Sequence, residues 1–183
     1  CVDATRPNLA ILQLQPESGV RAAGVETWME LTVANFGNEA APSVTAEILQ
    51  DGHKLPAVAL DTLEPGERVT RRFRVAFAAA GSHQLEARLP RDAIALDNQR
   101  YFTCEVPAEF PVLLVDGSRD GDDSYYLRPS LSPGGGSNTG WKPEIQRPEF
   151  LRKHRELQKF AAICLLDVAR LDDPEVEALE EYV

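Results

Sequence analysis

Cysteine is scarce in this 183-residue chain: Cys1, Cys104 and Cys164 stand far apart and no C-x-x-C occurs. Three thiols so scattered are too few for a disulfide framework, and they leave the redox compartment open. Long apolar runs are also missing. No stretch approaches the roughly 20 residues of a membrane span, and none resembles a secretory h-region, so this stretch is not expected to insert into a bilayer itself. Positive charge is in deficit as well. The net charge is −10, with 14 acidic against 10 basic residues through Ala108 and 15 against 9 beyond it. With both halves acidic, nucleic acid and anionic membrane are poor partners.

What is present is a globular composition, 43% hydrophobic and 26% charged, with enough length for one large or two small domains. The chain starts at Cys1 and stops at "EALEEYV" inside an evident helix, so it is read as a piece of something longer. Up to about Val106 the pattern has a period of two. In "TWMELTV", Thr27, Met29, Leu31 and Val33 share one face, as a half-buried strand requires. "SVTAEIL" alternates through Val44, Ala46 and Ile48, and "QDGHK" supplies an Asp-Gly hairpin turn. "RVTRRFRVAF" places Val69, Phe73, Val75 and Phe77 inward and Arg72 and Arg74 outward, with Arg71 on the apolar face near a strand end. Further strands follow at His83–Leu89 and in "QRYFTCEV". Six or seven short strands without a credible helix predict an antiparallel sandwich.

The pattern changes at "PAEFP". "VLLV" reads as a strand buried on both faces, "SYYLRPSL" as a short helix, and "SLSPGGGSNTGWKP" as a long loop with Trp141 as an apolar anchor. A strand around Ile145, a helix opening at Pro148, a strand in "FAAICLLDV" and a final helix capped by Asp172 or Asp173 complete the series. Strand alternating with helix is the opening of a parallel α/β sheet. The domains are expected at 1–107 and 108–183.

"WMELTVANFGNEAAPSVTAEILQDG" resembles the CARDB type of immunoglobulin-like domain, and "LDTLEPGERVTRRFRVAF" and "GSHQLEARLPRDAIALDNQRYF" are similar to its later strands. "PVLLVDG…YYLRPSL" and "AAICLLDVARLDDPEVEALEEYV" resemble the start of a class I glutamine amidotransferase-like domain. Together the modules look like the BatA-like bacterial membrane proteins, in which a von Willebrand factor A domain precedes them. The resemblance implies an immunoglobulin-like antiparallel β-sandwich followed by a partial parallel α/β domain of the flavodoxin or amidotransferase kind. It also implies an extracytoplasmic location, with membrane anchoring through segments outside this chain.

Active amidotransferases use a cysteine on a strand-to-helix elbow, activated by histidine and a carboxylate. No Gly-x-Cys-x-Gly elbow occurs here. Cys104 and Cys164 are read as small buried hydrophobes, and His53, His83 and His154 as structural, so no catalytic residue and no cofactor are expected. The loop after "VLLV" carries Asp116, Asp120, Asp122 and Asp123, at the strand end where open α/β sheets bind ligands. Asp116, Ser118 and Asp120 approach the Asp-x-Ser-x-Ser metal motif but miss its last serine, and the loop fails the EF-hand pattern at Ser118 and Leu127. The favoured reading is a turn in which Asp116 ends the strand, Gly117 and Gly121 reverse the chain, and Asp122 or Asp123 caps the helix. No metal is expected; those three residues are the candidates if one binds. The expected function is a non-catalytic interaction or scaffolding segment with a protein partner. The alternatives are a hydrolase or amidotransferase whose nucleophile lies downstream, and a metal-dependent adhesion module.

Overall fold

The computed structural model describes residues 6–120 and 123–183; the expectations for Cys1, Gly121 and Asp122 lie outside them. Two compact units divide the chain, one of Cys1–Arg21 with Glu26–Val106 and one of Ala22–Val25 with Pro107–Val183.

Among the described residues the first unit holds eight strands: β1 (Leu9–Pro16), β2 (Glu26–Asn35), β3 (Val44–Gln50), β4 (His53–Lys54), β5 (Val58–Leu60), β6 (Arg68–Ala76), β7 (Gly81–Arg88) and β8 (Gln99–Val106). They form two antiparallel sheets, β1–β2–β6 and β4–β3–β7–β8, with β5 pairing β3. The alternation in the sequence decides which side faces inward. Met29, Leu31 and Val33 are fully buried, as are Ile48 of β3, Leu85 of β7 and Phe77 just past β6, and together they form one core. The β3–β4 hairpin turns through Asp51 and Gly52, both at positive φ (50° and 80°), as a turn matched to strand twist requires. A bulge in β1 between Ile11 and Gln13 shifts its register against β2.

Arg71 departs from expectation. It lies in the middle of β6, opposite Leu31, and not near an end. β6 is the outer strand of its sheet, so the side chain can leave past the edge, where its Nη2 meets the Asp61 carboxylate at 2.5 Å.

The second unit is built on a three-stranded parallel sheet in the order β10–β9–β11, with β9 (Phe110–Asp116) central between β10 (Trp141–Gln146) and β11 (Ala162–Leu166). Leu113, Leu114 and Val115 are fully buried, as the unbroken apolar run requires. Helix α1 (Asp123–Leu131) follows β9, and α3 (Asp173–Tyr182) follows β11. Asp172 caps α3: its N–H donates to Glu175 Oε2 at 2.9 Å, and Arg152 bridges both carboxylates at 2.8 and 3.1 Å. The helix expected from Pro148 is instead a 3-10 turn (Pro148–Arg152) and one α turn, α2 (His154–Leu157). The chain breaks at Lys153 (φ −91°, ψ 62°), a bend that lets Leu151 and Leu157 both enter the core against Phe160. The long glycine-rich loop is pinned at its far end: Asn138 donates to Ala23 O at 2.7 Å and accepts from Gly140 N at 2.9 Å.

Candidate functional site

Asp116 ends β9 as expected, but its carboxylate is buried and performs the capping itself. One oxygen accepts from the Ser118 N–H at 3.0 Å and from the Ser118 hydroxyl, and the other accepts from the Ser124 N–H at 2.9 Å, in the first turn of α1. Burial alone would raise its pKa; the bonds from Ser118 and Ser124 outweigh that and hold the acid well below the usual carboxylate range. A side chain eight residues upstream therefore serves the helix N-terminus; the cap expected from Asp122 lies outside the described residues.

Opposite, the Arg147 guanidinium donates to the carbonyls of Asp116 (3.1 Å), Ser118 (2.5 Å) and Arg119 (3.4 Å). The structure thus brings Asp116 and Ser118 together and leaves Asp120 exposed on the loop. A cation placed among these carbonyls would meet a guanidinium already bonded to them, and Asp116 already accepts on both oxygens. Sequence reasoning overlooked Arg147, whose partners are backbone oxygens that leave no trace in the sequence. Behind the loop, Gly117 N donates to Leu166 O at 2.9 Å, and a Cβ on Gly117 would fall 2.5 Å from Asp167 O. The carboxyl ends of β9 and β11 therefore meet without room for a side chain at this position.

Both cysteines are half-buried, not fully buried as anticipated. β8 and β11 each lie at the end of a sheet order, which leaves such positions partly open. Burial pushes the Cys104 thiol up. His83, on β7, has both ring nitrogens opposite acceptors: Nδ1 to Asp51 at 2.7 Å and Nε2 to Ala79 O at 2.9 Å. That geometry suits the imidazolium, and its pKa is raised by the bond to Asp51. His154 meets Glu181 at 3.0 Å, and His53 lies in β4.

The outward face of the β1–β2–β6 sheet carries another cluster. Trp28 is 45% exposed, and the guanidinium carbons of Arg72 and Arg74 lie 5.2 and 5.3 Å from its ring centroid. Glu17 pairs with Arg72, and Glu26 with Arg74 at 2.9 Å. Along the edge of β6 runs a cleft of about 530 Å³, lined by Arg71 to Arg74 on one side and Leu55 to Ala59 on the other. In the Asn35-Phe36-Gly37 turn, Asn35 is 1% exposed and fully used. It donates to Glu39 O (2.8 Å) and Leu63 O (2.9 Å) and accepts from Gly37 N (2.8 Å). Gly37 is needed there because a Cβ would meet Asn35 Oδ1 at 3.0 Å and Asn8 N at 3.3 Å.

These sheets and this turn define an immunoglobulin-like antiparallel sandwich. Residues 6–94 match the CARDB family, so that part of the chain is a CARDB domain. The chain is similar to the crystal structure of the CARDB domain of the PF1109 protein from Pyrococcus furiosus, described as a complex with di-metal ions. The TM-score is 0.52 at 18% identity, covering 59% of this chain and all of that one. The solution structure of the same domain gives a TM-score of 0.51 at 18% identity, covering 58% and 100%. No curated protein matches the chain.

Proposed function

We propose that this chain is a non-catalytic interaction segment of an extracytoplasmic, membrane-anchored bacterial protein, in which the sandwich presents the β1–β2–β6 face to a protein partner. The observation that carries the reading is Trp28, with the Arg72 and Arg74 guanidinia both over its ring, on an exposed sheet face. Tryptophan and arginine are the residues most often found at binding hot spots, and here their geometry is set before any partner arrives. The cleft along β6 extends the same surface toward Leu55 to Ala59. The extracytoplasmic location and the anchoring rest on the resemblance to BatA-like proteins.

A second reading is favoured by the order β10–β9–β11. With the first strand central, it corresponds to the 2-1-3 opening of the flavodoxin-like order, as an amidotransferase-like domain would have. On that reading a downstream cysteine supplies chemistry that this chain does not.

The test is a photo-crosslinking amino acid at position 28 of the full-length protein in its own cells, with a control at exposed Thr45 on the other sheet. A discrete protein adduct from position 28 and none from 45 is expected. Equal labelling from both positions, or none from either, would sink the interaction reading. Glutamine hydrolysis by the full-length protein would favour the enzyme instead.

A further inference from the structure

At one end of the sandwich four side chains close into a ring. Asn8 Nδ2 donates to Asp97 Oδ2 at 3.3 Å, Asn98 Nδ2 donates to Asp92 Oδ1 at 2.9 Å, and Leu9 N donates to Asp92 Oδ2 at 2.7 Å. Asp97 and Asn98 are chain neighbours, as are Asn8 and Leu9, so the bonds return to their start. Two more backbone bonds fix the ring: Ile11 N to Asp97 O at 2.8 Å and Leu89 N to Asn98 O at 2.8 Å.

On three of these side chains the remaining oxygen, Asn8 Oδ1, Asp97 Oδ1 and Asn98 Oδ1, is buried and has no donor. Asn8 is 9% exposed and Asn98 only 3%. Reversing either amide offers no relief, since each nitrogen already faces a carboxylate oxygen and reversal would set oxygen against oxygen. Among the described residues no cation pairs with Asp92 or Asp97. Three buried acceptors without a donor, one of them on the Asp97 carboxylate, are an arrangement that protein groups alone leave unfavourable.

The geometry points to a calcium site here, with Asp97, Asn98 and Asn8 as oxygen ligands and Asp92 as a positioning residue that orients Asn98. The inference is independent of the proposed function. All three donors are hard oxygens, as Ca²⁺ selects, and backbone carbonyls and water complete its shell of six to eight oxygens. The named donors include no nitrogen or sulfur, which disfavours zinc. Among the described residues no group of three or more His, Cys, Asp or Glu could hold a metal; this ring reaches its ligand number with amide oxygens. Few formal charges place it among the weaker sites, with a dissociation constant on the order of 10⁻⁴ to 10⁻³ M. Bound calcium would tie the Pro90–Asn98 loop, whose tip exposes Ile94 (50%) and Leu96 (92%), to the start of β1.

The experiment is equilibrium dialysis with radioactive calcium and thermal unfolding of the purified chain in chelator and in about 10 mM calcium, roughly tenfold or more above the expected dissociation constant. One calcium per chain and a saturable rise in Tm are expected, with magnesium weaker. Asp97→Asn should lower the affinity at least tenfold while its Tm in chelator stays near that of the wild type. Should that variant fold poorly, Asn98→Asp supplies the opposite sign: lower Tm in chelator, tighter binding and a larger rescue by calcium. Asp116→Asn should leave binding unchanged. No bound calcium, as when a water molecule supplies the missing donors, overturns the site. So does binding unaffected by Asp97→Asn and Asn98→Asp, or binding abolished by Asp116→Asn.

Discussion

The loop after β9 and the loop before β8 are both rich in acid, yet they stand in opposite chemical states. Around Asp116 every carboxylate lone pair that matters is met, by Ser118, by the start of α1 and, on the neighbouring carbonyls, by Arg147. Around Asp97 three buried oxygens lack a donor. The first loop has more carboxylates in fewer residues, and the second has more capacity to bind. Ligand capacity therefore follows the balance of acceptors against donors, not the density of Asp and Glu along the chain.

The largest expected effect lies at the saturated site. Asp116→Ala should cost about 3 kcal/mol, because it removes the charge-assisted bonds that a buried carboxylate accepts from Ser118 and Ser124. Urea unfolding followed by α1 helicity would measure it. A loss below about 1 kcal/mol would mean that water replaces the carboxylate, and the contrast between the loops would fail.

Gly117→Ala comes next, at about 2 kcal/mol. Its Cβ would press on Asp167 O and the Val168 Cα at 2.5 and 2.9 Å, so backbone must shift. Thermal unfolding of the variant would show it, and an unchanged Tm would mean that the ends of β9 and β11 can separate freely.

The smallest effect is a pH dependence in the sandwich. The bond to Asp51 raises the His83 pKa, so its contribution is complete below the unfolded value, about 6.5, and is lost as pH rises through the folded value. Burial pushes the Asp51 pKa up, but the Gln84 N–H and His83 together outweigh it and hold the acid below its ordinary value. Its contribution is present above about pH 4 and is lost as pH falls through its folded value. The difference in urea midpoint between wild type and His83→Gln should therefore be greatest near pH 5 to 6 and shrink in the alkaline range. A difference that grows with pH would show that neutral His83 is the stabilising form.

Much of the sandwich was legible because alternation maps directly onto burial: Met29, Leu31 and Val33 are all inward. β1 was not, since its bulge interrupts the alternation between Ile11 and Gln13. Arg71 was misplaced because a sequence does not say which strand is outermost, and only an edge gives an inward-registered arginine an exit. In the other unit, "VLLV" announced the central strand, and the position of the Asp116 loop at its end could be read too. What the carboxylates there were bonded to could not, because the donors are mostly peptide N–H groups and one distant arginine. The ring of Asn8, Asp92, Asp97 and Asn98 joins residues up to 89 positions apart through single bonds. Its only local sign is the adjacent Asp97-Asn98 pair.

The two tryptophans fall one to each unit: Trp28 on the sandwich, and Trp141 beside Phe110 at the start of β10, with ring centroids 5.7 Å apart. Their surroundings differ in optical character. Trp28 lies against two guanidinia and is partly wetted, whereas Trp141 lies beside another ring. Replacing one at a time with phenylalanine gives two single-emitter proteins, each reporting the melting of one unit through its emission maximum. The chain thus carries its own pair of spectroscopic labels.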